Sequence, residues 1–245
     1  MKIRVGHLYP DYLNIYADRG NIAVFAERAR ARGHELEVQA IGMRDPVPAG
    51  EIDLFYVGGG QDREQALVAH DLVQKADALR EAVEGDAAFL AVCGGYQLLG
   101  RSYRDVAGEE LPGIGILPLH TIAGRTRMIG DVLLECAWAG QTLAGFENHA
   151  GRTILDSGAE PLGRVVDGFG NDGKSGFEGC RYRQAYGTYL HGPLLPRNPW
   201  FADRVLGDAL RHAGGDPELA PLPDELERQA HVVSAARAKA RGGKR

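Results

Sequence analysis

A chain of 245 residues, 44% of them hydrophobic, can bury a large core and is ordinary for a single α/β domain. A formal net charge of −5 gives no footprint for nucleic acid, and three cysteines (Cys93, Cys136, Cys180) form neither a paired framework nor a Cys-x-x-Cys zinc motif, so no metal is expected and a reducing compartment fits. The start, Met1-Lys-Ile-Arg-Val, lacks the apolar stretch and small-residue site of a secretion signal, and no run nears the ~18 apolar residues of a membrane span, so a soluble, cytoplasmic protein is expected.

Residues 2–9 read as a first strand, Tyr12 to Arg32 as a helix closed by Gly33, and Glu35 to Ile41 and Ile52 to Val57 as further strands. Asp62 to Glu84 reads as one helix, with Leu67, Val68, Leu72, Val73, Ala76 and Leu79 on its apolar side. The strand 87–92 follows. The β-α-β-β-α-β order with continuous apolar strands predicts a mostly parallel sheet covered on both faces, with ligands beyond the strand carboxyl ends. From Gly113 to Tyr189 the texture changes to short strand candidates, such as Met128 to Cys136 and Thr153 to Leu155. Gly168 to Lys174 is a turn or loop, and the whole region is expected as an antiparallel extension of the sheet. Asn198 to Ala213 returns to helix. The basic, Ala-rich end, 231–245, is compatible with a partner-binding helix and is read as a frayed, solvated tail. The domain is expected over 1–215, with 216–245 a partly flexible extension, and no internal repeat is visible.

The chemistry concentrates in Ala87-Ala-Phe-Leu-Ala-Val-Cys93-Gly-Gly-Tyr-Gln97. A strand-length apolar run ends on a cysteine and two glycines, then a helix-like segment begins. This is the order of a nucleophile elbow, whose turn sets the side chain at a helix N-terminus that stabilises developing negative charge. Alone, the run suits a buried structural thiol as well as a nucleophile. His191, exposed at the predicted strand end Tyr189-Leu190 and followed by the chain-breaking Gly192-Pro193, is the candidate general base. The glycines 58–60, ending the strand 52–57, are either an oxyanion loop or a plain strand-to-helix turn.

These residues resemble the class I glutamine amidotransferases, whose Cys-x-Gly-x-Gln pattern Cys93-Gly-Gly-Tyr-Gln97 fits. Leu8-Tyr-Pro-Asp-Tyr-Leu-Asn-Ile-Tyr-Ala-Asp-Arg-Gly-Asn21, Phe146-Glu-Asn-His149 and Tyr189-Leu-His-Gly-Pro-Leu-Leu-Pro-Arg-Asn-Pro199 resemble the cobyric acid synthase-like (CobB/CobQ-like) branch. Within it they are similar to the glutaminase subunits of lipid II isoglutaminyl synthases. The resemblance runs to about residue 215 and implies a three-layer, flavodoxin-like fold. It implies that Cys93 attacks the glutamine side-chain amide, that His191 acts as general acid and base, and that backbone N–H groups of Gly59 and Gly94 hold the oxyanion. It makes Arg127, with Arg125 as the alternative, and Gln97 contacts for L-glutamine. Gly60, Asn148 and His149 are weaker candidates, since an Asn-His pair in a turn is often structural.

Many class I amidotransferases carry His-x-Glu, whereas this sequence has His191-Gly192-Pro193. The orienting acid then comes from elsewhere; the resemblance implies an aspartate from a partner ligase. The sequence shows no phosphate loop and no ATP-binding signature. ATP and Mg are therefore expected in a separate MurT-type, Mur-ligase-like synthetase, which would deliver ammonia to lipid II as acceptor. Two alternatives remain: a glutaminase serving another acceptor such as a corrinoid carboxylate, and a non-catalytic ligase-binding scaffold.

Overall fold

The computed structural model describes residues 1–15 and 19–242. Part of the first half of the predicted 12–32 helix (16–18) and the last three residues of the tail (243–245) lie outside the described residues.

Strand β1 (Lys2–Leu8) leads to α1 (Arg19–Arg30), β2 (Glu35–Ile41), β3 (Leu54–Val57), α2 (Asp62–Gln74), α3 (Ala76–Glu84), β4 (Ala88–Val92) and the short α4 (Gly94–Leu98). Then come β5 (Ser102–Arg104), β6 (Glu110–Pro112), β7 (Leu119–Cys136), β8 (Gln141–Leu155), β9 (Gly163–Asp167), β10 (Phe177–Glu178), β11 (Cys180–Tyr182) and β12 (Ala185–Thr188). Helices α5 (Pro199–His212) and α6 (Glu225–Gly242) end the chain.

The central sheet runs β11-β12-β4-β3-β1-β2. All its pairings are parallel except β11 with β12, which supplies an antiparallel edge. Every residue of β3, β4 and β12 is buried, as expected of strands covered on both faces. At the other edge β2 is mostly exposed. The remaining strands build a second sheet, β10-β9-β7-β5-β6, with β8 paired to β7. The short strand candidates of 113–189 are thus largely one long hairpin, β7–β8, beside the central sheet.

That hairpin has a break in register: Ala123 faces Gly151 but Met128 faces His149, so residues 124–127 bulge. Inward-facing positions of β7 are odd before the bulge (Leu119, Thr121) and even after it (Met128, Val132, Leu134).

Two helices differ from the sequence expectation. The predicted 12–32 helix begins at Arg19; Tyr12 and Leu13 instead close a turn onto the Tyr9 carbonyl. The predicted 62–84 helix divides at Lys75, whose N–H donates to the Leu72 carbonyl and whose buried ammonium pairs with Asp71. Of the predicted apolar side, Val68, Leu72 and Leu79 are buried, but Leu67 and Val73 are exposed. The buried stripe runs Gln65, Val68, Ala69, Leu72, Leu79, Ala82 and Val83, and Leu67 and Val73 fall beside it.

Helix α6 stands where the solvated tail was expected. Its Ala238 packs with Leu133 and Ala144 on the second sheet. The turn before it is tied down by Arg28 of α1, which forks onto Asp203 of α5 (2.7 and 2.7 Å) and Asp224 (2.7 and 3.0 Å). Among the described residues no helix is long and apolar enough to cross a membrane. None of their His, Cys, Asp and Glu side chains gather in a group of three or more that could hold a metal ion.

Candidate active site

Strands β3, β4 and β12 are neighbours in the central sheet, and their carboxyl ends carry Gly58–Gly60, Cys93 and His191 respectively. The register fixes the alignment: Val57 lies opposite Ala91, and Val92 opposite Thr188. The Cys93 N–H continues the ladder to the Thr188 carbonyl at 2.8 Å, and then the chain turns sharply, with Cys93 at φ 51° and ψ −107°. A non-glycine residue there is strained, at a cost of order 1–3 kcal/mol. The turn works only with small neighbours: a Cβ on Gly95 would lie 2.7 Å from Val57 Cγ1 and 2.9 Å from the Gly58 carbonyl.

Gly59 sits between the two candidate catalytic side chains. A Cβ added to it would lie 3.1 Å from His191 Cε1 and 3.2 Å from Cys93 Cβ. The glycines after β3 are therefore packed into the site itself. His191 is buried and anchored by its own N–H to the Phe146 carbonyl (2.8 Å), which ties β12 to the hairpin of the second sheet.

A cavity of about 550 Å³ opens over the elbow, at the seam between the sheets. Of the residues singled out in the sequence, Cys93, Gly60, Gln97, Arg127, Asn148 and His149 line it. Gly59, Gly94 and His191 lie behind that wall, and Arg125 is an exposed residue outside the lining. Arg127 projects from the β7 bulge, and its guanidinium grips Asn148 twice, through Oδ1 and the carbonyl oxygen, both at 2.8 Å. Gln61, Arg63, Gln65, Tyr103 and Gly151 also line the cavity, and sequence reasoning missed them. For Gln65 a signal existed, since it begins the buried stripe of α2.

From the wall inward runs a chain of buried polar side chains. Gln65 Nε2 donates to Gln97 Oε1 (2.7 Å), and Gln97 Nε2 donates to the Tyr189 hydroxyl (3.0 Å). That hydroxyl is 2.6 Å from Thr153 Oγ1, which is 2.8 Å from Thr121 Oγ1. Each link would be expensive to leave unmade in the interior. Gln97 therefore arrives at the cavity with its amide already oriented.

The other two thiols have a different setting. Cys136 and Cys180 are fully buried, and burial pushes both up to about 12. They suit core packing and not nucleophilic attack.

Two carboxylates are buried close behind the site. Glu147 accepts the N–H groups of Phe169 (2.6 Å) and Gly170 (2.9 Å), clamping the 168–174 loop. Glu178 accepts the Tyr189 N–H at 2.6 Å and the Thr188 hydroxyl at 3.1 Å. Burial, with Glu147 adding to it, pushes the Glu178 carboxyl up to about 8 despite those donors. Between its ordinary 4.5 and that value the native state holds a proton that the unfolded chain has released. Stability from this group is complete below the lower value and is lost as pH rises through the higher one. Thermal melts of Glu178→Gln at about pH 5 to 8 should show a flatter decline than the wild type. An unchanged slope would mean that Glu178 is ionised throughout.

Comparison with known proteins gives the family and the fold. Residues 4–199 match the CobB/CobQ-like glutamine amidotransferase domain. The chain is 40% identical over 237 residues to the lipid II isoglutaminyl synthase (glutamine-hydrolyzing) subunit GatD of Staphylococcus aureus (strain N315), covering 97% of this chain and 96% of that protein. It is 36% identical over 242 residues to the subunit of the same name from Streptococcus pneumoniae (strain ATCC BAA-255 / R6), covering 98% and 93%. The solved structure of PurLQS from Thermotoga maritima superposes with a TM-score of 0.55 at 15% identity, over 95% of this chain and 99% of that one, and shows the shared fold. A cysteine elbow beside a glycine loop and a histidine, on this fold and within this family match, makes the chain a glutamine amidotransferase of the CobB/CobQ-like family.

Proposed function

We propose that the chain is the glutamine-hydrolysing subunit of a lipid II isoglutaminyl synthase. It would supply ammonia for ATP-dependent amidation of the D-glutamate α-carboxyl by a MurT-type, Mur-ligase-like synthetase in the cytoplasm. The observation that carries the chemistry is Gly59 packed between Cys93, which lines the cavity, and His191 behind its wall. The near-full-length similarity to two GatD subunits supports the acceptor and the partner.

In this reading L-glutamine enters the cavity with its side-chain amide over Cys93 and its α-carboxylate toward Arg127. The Cys93 sulfur attacks the amide carbon while its proton passes to His191. The oxyanion of the tetrahedral intermediate takes N–H donors from Gly59 and Gly94. His191 then protonates the departing nitrogen; the C–N bond breaks and ammonia and a Cys93 thioester form. Water, deprotonated by His191, attacks the thioester and releases glutamate, restoring the thiol. ATP and Mg would act in the partner, where ammonia is consumed.

Pro193 stands two residues after His191, where many relatives in class I have glutamate. We propose that the partner subunit contributes the orienting carboxylate across the interface, so that glutamine cleavage is coupled to its presence. Assays of the chain alone and with a Mur-ligase-like partner test both halves. The complex should amidate lipid II with either glutamine or ammonium, and glutamine turnover should rise at least about tenfold when the partner is added. Equal turnover with and without it would reject the coupling. Failure of the complex to amidate lipid II from glutamine, with ammonium still effective, would reject this chain as the donor subunit.

A further inference from the structure

His149 lines the cavity but is 2% exposed, and its environment is unusual for a histidine beside a reacting thiol. Its ring lies flush on the Tyr189 ring, with centroids 3.5 Å apart and planes within 3°. Nδ1 is 2.9 Å from the Gly151 carbonyl. A carbonyl only accepts, so Nδ1 carries the hydrogen. Nε2 then presents its lone pair to Glu147 Oε2 at 3.7 Å, too far for a hydrogen bond, and has no other partner. Both Glu147 oxygens are already occupied by the Phe169 and Gly170 N–H groups. Burial holds the imidazole below its usual value even with Glu147 nearby. The ring is thus fixed in one tautomer, with Nε2 buried and unpartnered.

What His149 does control is Tyr189. That hydroxyl accepts from Gln97 Nε2 and is 2.6 Å from Thr153 Oγ1. Thr153 Oγ1 in turn is 2.8 Å from Thr121 Oγ1, so the Tyr189 hydroxyl sits in a continuous run of buried hydroxyls. Tyr96 meets Tyr189 edge-on at 5.1 Å. The Tyr189 ring is therefore held by Tyr96 at an angle and by His149 over its face, and its oxygen sets the direction of the Gln97 amide in the cavity wall.

We propose that His149 is a positioning residue for glutamine: stacked on Tyr189, it holds the hydroxyl that orients Gln97 toward the substrate, and it transfers no proton. The inference rests on the glutaminase reading and adds the element that presets the substrate wall. It assigns Phe146-Glu-Asn-His149 a division of labour. Glu147 clamps the 168–174 loop, His149 clamps Tyr189, and Asn148, on the opposite face of the strand, holds Arg127.

The test is steady-state glutamine hydrolysis by the full chain with its synthetase partner, measured across pH for wild type, His149→Ala, His149→Phe and Tyr189→Phe. His149→Ala should raise KM for glutamine about tenfold, with a smaller change in kcat and an unmoved pH profile. His149→Phe, which keeps a flat ring on Tyr189, should recover most of that loss. Tyr189→Phe keeps the stack but removes the hydroxyl, and should match His149→Ala. If His149→Ala does not fold, the contrast between the other two variants decides. A His149→Phe variant as impaired as His149→Ala and lacking one limb of the pH profile would overturn the proposal in favour of proton transfer. Wild-type KM in both His149→Ala and Tyr189→Phe would overturn it outright while leaving the glutaminase reading standing. A wild-type complex that hydrolyses no glutamine would overturn both.

Discussion

Cys93→Ala is expected to lower glutamine hydrolysis by at least about 10³-fold while leaving the protein folded. The activity loss follows from the proposed thioester: without the sulfur, His191 and the oxyanion donors can at most assist direct attack by water. Stability should be preserved for a separate reason. Cys93 is held at φ 51° by the ladder bond to Thr188 and the packing of Gly95, and alanine meets the same backbone strain with a smaller side chain. Circular dichroism and a thermal melt alongside the glutaminase assay check both points. In complex with the synthetase, Cys93→Ala should still support amidation from added ammonium, which distinguishes a missing nucleophile from a broken assembly. Full glutamine-dependent activity in Cys93→Ala would remove the cysteine from the mechanism and favour a scaffold.

Arg28→Met is expected to destabilise the protein by about 3 kcal/mol, roughly 6–12 °C in Tm for a chain of this size. The Arg28 side chain is only 6% exposed, and both carboxylates it serves, on Asp203 and Asp224, are largely buried. Burial works against the guanidinium, and the hydrogen bonds to Asp203 and Asp224 more than reverse that effect, so its pKa is raised. Removing the cation leaves two carboxylates facing a hole, with Arg32 able to reach only Asp203. Asp224 lies at the entry to α6, so the damage should appear there first, as faster amide exchange across Glu225–Gly242. Arg28→Lys keeps the charge but cannot fork onto both partners, and should lose less. A Tm within 2 °C of wild type in Arg28→Met, against the loss reasoned above, would mean the network is replaceable.

The central sheet was legible in the sequence because its strands are continuous apolar runs with chain breakers after them. Val57 and Val92 end such runs at the positions where the register aligns them with the site. The second sheet was not, and β7 shows why. A strand is read from alternation, and the bulge at 124–127 reverses which parity faces inward. Only the uninterrupted half, Met128 to Cys136, reads as a strand. The division at Lys75 escaped for the opposite reason: no glycine or proline marks it, and the apolar period runs across it. Helix α6 carries a weak pattern because it rests on the sheet through small residues such as Ala238, and its docking depends on Asp224 and Arg28, 196 positions apart. In the site, the elbow and the histidine were visible as local signatures. The chain from Gln65 through Gln97 and Tyr189 to Thr153 joins α2, α4, the residue after β12 and β8, and no local spacing encodes it.

The same bulge has a further consequence for how such a protein can diverge. Met128 and Ala123 are pinned to consecutive stretches of β8, so the residues between them can be lengthened, shortened or exchanged without shifting either side of the hairpin. Arg127 belongs to this interchangeable stretch, whereas Cys93 is fixed by its ladder bond to Thr188 and His191 by its bridge to Phe146. Under the proposed roles of these residues, substrate grip and bond cleavage would be separately heritable: the bulge could be rewritten for a new ligand over an unchanged elbow.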